Sequence, residues 1–360
     1  MRQGRSTYVF PGSNTALGFQ SFYRQGLQGL EHIYILKGSP GCGKSTLMRK
    51  IGSAMLERGY DVEFWQCSAD NDSLDGVIVK GLSAAVIDGT APHTVDPVYP
   101  GVVDEIINLG EHWSSQSLRR QKQSILHLYE SLQQAYAAAQ EDLSAIGEIT
   151  AEACRREEKR LDSQKLNDKI HQLLDELFVP TGAVCRHLFA SAVTPRGLIS
   201  LADALTRVYP RRYILNGPPG CGKEKILQAV ADAAAEKGLA AQVYHSALQP
   251  QHIEAVVLPE LGTALADLFL CSRESQPGDV VIDCTELSHE KTDDGETLAF
   301  KQKLNDLADK AAGKLSEAKL IHDKLESCYS QAMDYEAVDL AGKRLFNRLL
   351  TLAAEQENRP

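Results

Sequence analysis

GSPGCGKST, residues Gly38 to Thr46, follows the apolar run Ile33, Tyr34, Ile35, Leu36 and precedes a stretch with helical periodicity. It fits the phosphate-loop pattern G-x-x-x-x-G-K-[ST], in the strand-then-helix context that gives the pattern meaning. Gly38, Gly41 and Gly43 let the backbone curl so that successive N–H groups face inward. The positive end of the following helix adds to the field they make for an anion. Ser39, Pro40 and Cys42 fill the variable positions. In this setting Lys44 reaches β and γ phosphates, Ser45 offers a hydroxyl to Mg²⁺, and Thr46 supports a phosphate nearer the base.

A second loop, GPPGCGK from Gly217 to Lys223, follows Tyr213, Ile214 and Leu215. Shifting the chain by 179 residues matches nine of the eleven positions from Tyr34 to Lys44. The same shift aligns Phe10 with Phe189, Gly59 with Gly238, Leu82 with Leu261, and Asp88 with Asp267. Such self-similarity divides the chain into 1–179 and 180–360, near the turn residues Pro180, Thr181 and Gly182. Each half reads as a loop strand, a helix closed by Gly59 or Gly238, and a strand at Val62–Cys67 or Ala241–Ser246. A helical or extended apolar piece follows (Leu74–Val79; Ile253–Leu258), then a strand closing on Asp88 or Asp267. The expected fold class is α/β, a duplicated P-loop NTPase domain with a parallel sheet and the ligand at the carboxyl edge of the strands.

Beyond each sheet the apolar spacing turns helical. Ile125, Leu128, Leu132 and Leu166, Ile170, Leu173, Leu177 predict a helical hairpin over about 112–178. Leu304, Leu307 and Val338, Leu345, Leu349 predict its counterpart over about 296–356. In these sequences Leu166 aligns with Leu345 at the 179-residue shift. The charged run Arg155–Arg160, RREEKR, reads as a solvated helix face between the limbs. The hairpins are candidate surfaces for a protein partner or for homo-oligomerisation.

Net charge of -10 and pI near 5.5 argue against general affinity for nucleic-acid backbone. No apolar run approaches the roughly 20 residues of a membrane helix, and MRQGRSTYVF lacks a signal-peptide core, so the expected location is the cytoplasm. The eight cysteines form no C-x-x-C pair and read as free thiols.

The copies differ where chemistry would occur. Ser45 becomes Glu224 and Thr46 becomes Lys225. The second loop therefore keeps Gly217, Gly220, Gly222 and Lys223 but loses the metal-ligating hydroxyl. Asp70 and Asp72 become Gln249 and Gln251, while Asp75 remains acidic as Glu254. Asp88 has the form of a Walker B acid, holding Mg²⁺ beside Ser45. The next residue is Gly89, not the glutamate that orients water in many ATPases. A base then comes from Asp70, Asp72, His93, Asp104 or Glu105, or hydrolysis is slow, or the acceptor is not water.

With GSPGCGKST, CSADNDSLDGVI at Cys67, VIDGTAPH at Val86, YPGVVDEIINLG at Tyr99 and the second loop in hand, the whole chain resembles a family of bacterial tandem P-loop proteins described as ATPases or nucleotide kinases. The resemblance implies two nucleotide-binding folds and no particular substrate. The leading expectation is an ATP-binding, Mg²⁺-dependent NTPase with Lys44, Asp88, Asp70 and Asp72 in its machinery and a degenerate or regulatory second half. A small-molecule or nucleotide kinase and a nucleotide-gated interaction module are the alternatives.

Overall fold

The computed structural model describes residues 3–177, 185–271, 275–290 and 293–357. In chain order the first half contains β1 (Ser6–Val9), β2 (Gly12–Thr15), β3 (Gly18–Ser21), α1 (Tyr23–Gly26), β4 (His32–Lys37), α2 (Lys44–Glu57), β5 (Val62–Gln66), β6 (Leu74–Val79), β7 (Ala84–Asp88), β8 (Asp104–Asn108), α3 (Ser115–Arg120), α4 (Lys122–Arg160) and α5 (Ser163–Leu177). The second contains β9 (Cys185–Phe189), β10 (Ser191–Thr194), β11 (Gly197–Ser200), α6 (Ala202–Thr206), β12 (Arg211–Asn216), α7 (Lys223–Glu236), β13 (Ala241–His245), β14 (Ile253–Leu258), β15 (Thr263–Asp267), β16 (Val280–Asp283), α8 (Asp294–Ser330) and α9 (Tyr335–Glu357).

The architecture is α/β, with two six-stranded sheets of matching order, β1-β5-β6-β7-β4-β8 and β9-β13-β14-β15-β12-β16. The sheets are mixed rather than parallel. β6 runs antiparallel to both β5 and β7, and β14 does the same between β13 and β15. The cause is connection length: residues 67–73 and 80–83 are too few for the dozen-residue crossover that a parallel pair needs. Leu74–Val79, ambiguous between helix and extended in the sequence, is a strand buried along its whole length. β4, β7 and β8 are mutually parallel, with Leu36 opposite Asp88 and Ile33 opposite Asp104. That register puts the first glycine loop and Asp88 at one sheet edge and Asp104 at the other.

The chain packs as two compact units that cut across the sequence repeat. One comprises Met1–Pro11, Leu27–Ala137 and Lys314–Pro360; the other comprises Gly12–Gly26 and Ala138–Gly313. The boundary expected at 179/180, with Pro180, Thr181 and Gly182, falls outside the described residues. Thus α9 packs in the unit of the first sheet: Leu345, Leu349 and Ala353 share a core with Met48, Ile51 and Met55 of α2. In the other unit Leu166, Leu173 and Leu177 of α5 pack on Ile226, Leu227 and Val230 of α7.

The two limbs correspond at a shift of 172, not 179. Leu166 lies 3.1 Å from the Cβ position of Gly222, while Val338 lies 3.5 Å from that of Gly43. Leu173 then matches Leu345, and Leu177 matches Leu349. Helical periodicity repeats every three to four residues, so a seven-residue slip leaves the apolar stripe in place and the sequence match undisturbed. RREEKR is not between the limbs but forms the end of α4. There Arg160 pairs with the fully buried Glu157 at 2.9 Å, and Arg156 pairs with Glu296 at 3.4 Å. All eight cysteines are free thiols. No described helix is long and apolar enough to cross a membrane.

Candidate functional site

The first loop is positioned from both sides. β4 delivers Gly38 at the sheet edge, and α2 begins at Lys44 behind Gly43, which adopts φ 90. Gly41 has φ 75, and a Cβ there would lie 2.5 Å from the carbonyl oxygen of Glu326 in α8. Both conformation and space therefore demand glycine at Gly41. Buried Lys44 donates to the carbonyls of Gly38 and Ser39, each at 2.9 Å, and its Nζ stands 3.5 Å from Asp88 Oδ2. Asp88 Oδ1 accepts from the Thr90 backbone N–H at 2.8 Å and from the Thr90 hydroxyl. Ser45 Oγ accepts from the Leu74 N–H at 2.9 Å. Ser39 Oγ is buried with no hydrogen-bond partner among the described residues. Thr46 is exposed on the first turn of α2, and Pro40 is half-buried. Burial pushes the Cys42 thiol up, against the pull of Lys44 beside it, so this thiol is not an activated nucleophile.

The candidate bases separate into groups. Asp104 sits at the amino end of β8, paired in register with Ile33 and so five residues, roughly 16 Å of strand, from the loop edge. It accepts from the N–H groups of Val98 and Tyr99 at 2.9 and 2.6 Å, a turn-holding role. Glu105 pairs with Arg348. Both are thereby removed as bases. Asp70 accepts from Ser73 Oγ at 2.7 Å and the Asp72 N–H at 3.2 Å, with Lys319 of α8 at 3.4 Å. Burial alone would raise its pKa, but these three donors outweigh it and hold the carboxyl below its usual value. Asp72 is exposed, and its carbonyl accepts from Arg49. Asp75, on buried β6, lies 3.8 Å from Nε2 of His93, and both side chains are nearly buried. Asp75 directly follows Leu74, the residue bonded to Ser45.

Three features escaped sequence reading. Lys37, closing β4, donates to the Gly89 and Val95 carbonyls, each at 2.8 Å, and to Asp96 at 2.9 Å, pinning the segment that carries His93. Tyr335, opening α9, donates to the Gly41 carbonyl at 2.7 Å. Lys319 supplies the cation for Asp70. A polar residue ending an apolar strand was a weak local signal for Lys37. Nothing local could have marked Lys319 or Tyr335, which are more than 200 residues from their partners.

The second loop has the same curl, with Gly220 at φ 89 and Gly222 at φ 103, but different contents. Glu224 Oε1 accepts from the Gly220 N–H at 3.0 Å, so the loop's own carboxylate takes an amide that the nest would turn toward an anion. Lys223 is fully buried, 2.6 Å from the Gly217 carbonyl and 2.8 Å from Asp267 Oδ2. Phe269 caps it, its ring centroid 5.0 Å from Nζ. Burial alone would lower the Lys223 pKa, but the adjacent Asp267 reverses this and keeps it an ammonium. Behind the loop, Glu254 accepts from Ser191 Oγ at 2.8 Å, and burial pushes its carboxyl up to about 8.

The chain matches no protein-family model, and comparison with curated proteins and solved structures finds no similar one. The chemistry of these loops therefore stands on the residues described above.

Proposed function

We propose that the first loop binds a magnesium nucleoside triphosphate, with ATP the expected species, and that the chain hydrolyses it there while the second loop has become structural. The observation that carries this reading is the contrast between the loops. Glu224 satisfies an amide of the second loop from within, whereas the matched residue of the first loop is Ser45, a neutral hydroxyl. The fit of the first loop is supported by the orphaned Ser39 hydroxyl, which a phosphate oxygen would satisfy, and by left-handed Gly41 and Gly43, which keep the loop free of side chains.

Ser45 and Asp88 are the oxygen donors suited to Mg²⁺, which when bound neutralises charge on the β and γ phosphates. Lys44 exchanges its bonds to the Gly38 and Ser39 carbonyls for phosphate oxygens while retaining Asp88 as counter-ion. His93, whose Nε2 lies 3.8 Å from Asp75, is the imidazole assigned to position the attacking water. Asp70 is a poor proton acceptor because its carboxylate is already stabilised by three donors, and this weakens the kinase alternative.

A second reading rests on Tyr335. Its bond to Gly41, with the α8 backbone at Glu326 against the same glycine, couples the α8–α9 hairpin directly to the loop that nucleotide would order. A nucleotide-gated hairpin is compatible with hydrolysis and would present a different surface to a protein partner in each state.

Calorimetry and phosphate release on purified protein test the proposal. One equivalent of Mg²⁺-nucleotide is expected, abolished by Lys44→Ala and kept by Lys223→Ala. No uptake by the intact chain, or loss only in Lys223→Ala, overturns it.

A further inference from the structure

Cys154 of α4, Glu224 of α7 and His252 in the turn before β14 arrive from three separate elements. One ligand atom of each lies within 4.8 Å of the other two. A thiol, an imidazole and a carboxylate are the mixed donor set of zinc; magnesium and calcium take oxygen alone. Beside them opens a cavity of about 370 Å³, lined by Gly220, Glu224, His252 and Glu158, with ample room for a water molecule. We propose that Cys154, Glu224 and His252 form a Zn²⁺ site whose fourth position faces this cavity.

Two of the three ligands are held in place by the loop itself. A Cβ on Gly220 would lie 2.6 Å from the Cα of Cys154, so glycine lets α4 bring the thiol against the loop. One Glu224 oxygen is fixed by the Gly220 N–H, leaving the other available. Zinc ligands at bond lengths of about 2.0–2.3 Å stand within about 4 Å of one another, so side-chain rotations suffice to close the set. The Cys154 thiol donates to Gln249 Oε1 at 3.6 Å; metal binding would replace that weak bond, and the S–H proton would pass to solvent. The site also gives a role to the residue that spoils the second loop for phosphate: Glu224 replaces a hydroxyl with a metal-binding carboxylate. A second grouping, His322, Asp323 and Glu326, lies on one helix, and its Asp323 is already 2.9 Å from Lys319. It carries no such argument.

The test is titration of the intact, chelator-stripped protein with Co²⁺ as a spectroscopic stand-in, followed by Zn²⁺ competition. The expected result is one equivalent with a thiolate-to-cobalt charge-transfer band and tetrahedral d–d bands, both displaced by Zn²⁺. Cys154→Ser should abolish the charge-transfer band, and His252→Gln and Glu224→Gln should each weaken binding at least about tenfold. Absence of the thiolate band in the wild type, or its persistence in Cys154→Ser, overturns the site. Should Cys154→Ser not fold by circular dichroism, unchanged affinity in both partly exposed ligand variants overturns it equally. The readout does not depend on nucleotide, so it stands apart from the first loop.

Discussion

The Lys223 ammonium lies 2.8 Å from the Asp267 carboxylate and is fully buried, while the matching Lys44, 8% exposed, stands 3.5 Å from Asp88. The tighter pair is a structural element, because its lysine is saturated by Asp267, the Gly217 carbonyl and the Phe269 ring. Removing one member of a buried pair leaves an uncompensated charge, at a cost of about 3–5 kcal/mol. Lys223→Ala is therefore expected to lower stability in urea unfolding by that order without loss of nucleotide binding. Lys44→Ala should do the reverse, with a smaller stability change and loss of binding.

Ser83 and Gly262 occupy the same turn in the two halves, and both are left-handed, at φ 46 and φ 56. An L-residue there costs roughly 1–2 kcal/mol, offset in part by the greater unfolded-state freedom of glycine. Ser83→Gly should raise stability by up to about 1 kcal/mol, and Gly262→Ala should lower it. Thermal melts of the two variants, moving in opposite directions, check this.

Leu349 is fully buried against the first sheet's helix, although it lies in the other half of the sequence. Leu349→Ala should cost about 2–5 kcal/mol, and Leu352→Ala, on the half-exposed neighbouring face, distinctly less. Equal losses would contradict the packing register. Hydrogen exchange in Leu349→Ala should rise in α2.

Residues near each loop were legible because their meaning is local. Glycine spacing fixed the curl, apolar runs fixed β4, β5 and β7, and the departure of Glu224 from Ser45 marked the loop that caps itself. Pairings between distant segments left no such trace. The antiparallel setting of β6 follows from a seven-residue connection, a signal available in the sequence but outweighed by the expectation of a parallel sheet. Which hairpin limb covers which sheet could not be read, since α5 and α9 present interchangeable leucine stripes. Asp104 and Glu105 look like catalytic acids in sequence, yet in space they serve a turn and an arginine.

Tyr335 donates to the Gly41 carbonyl at 2.7 Å, at a glycine where a Cβ would lie 2.5 Å from the Glu326 carbonyl oxygen of α8. Tyr335→Phe removes two hydrogen bonds, the one donated to the Gly41 carbonyl and the one accepted from the Ser330 hydroxyl at 2.7 Å, at about 0.5–1.5 kcal/mol each, and little packing. The fold should persist, while hydrogen exchange at Cys42 to Lys44 rises and nucleotide affinity changes by about threefold to tenfold. Unaltered exchange at the loop would show that the hairpin does not restrain it.

Glu254 gives the chain a pH signature of its own. Its ordinary pKa is 4.5, and burial, opposed by the hydroxyls of Ser246 and Ser191, pushes it to about 8. Between those values the folded protein holds a proton that the unfolded chain has released. The contribution is complete below about pH 4.5 and is lost as pH rises toward about 8, at no more than about 1.4 kcal/mol per unit. Glu254→Gln keeps a neutral, hydrogen-bonding group in the same space without a titrating proton. Urea unfolding at successive pH values should therefore show the variant gaining on the wild type from pH 5 to pH 8 and running parallel to it above. A constant difference across that range would mean that Glu254 is ionised in the folded protein, and that Ser191 and Ser246 donate to a carboxylate.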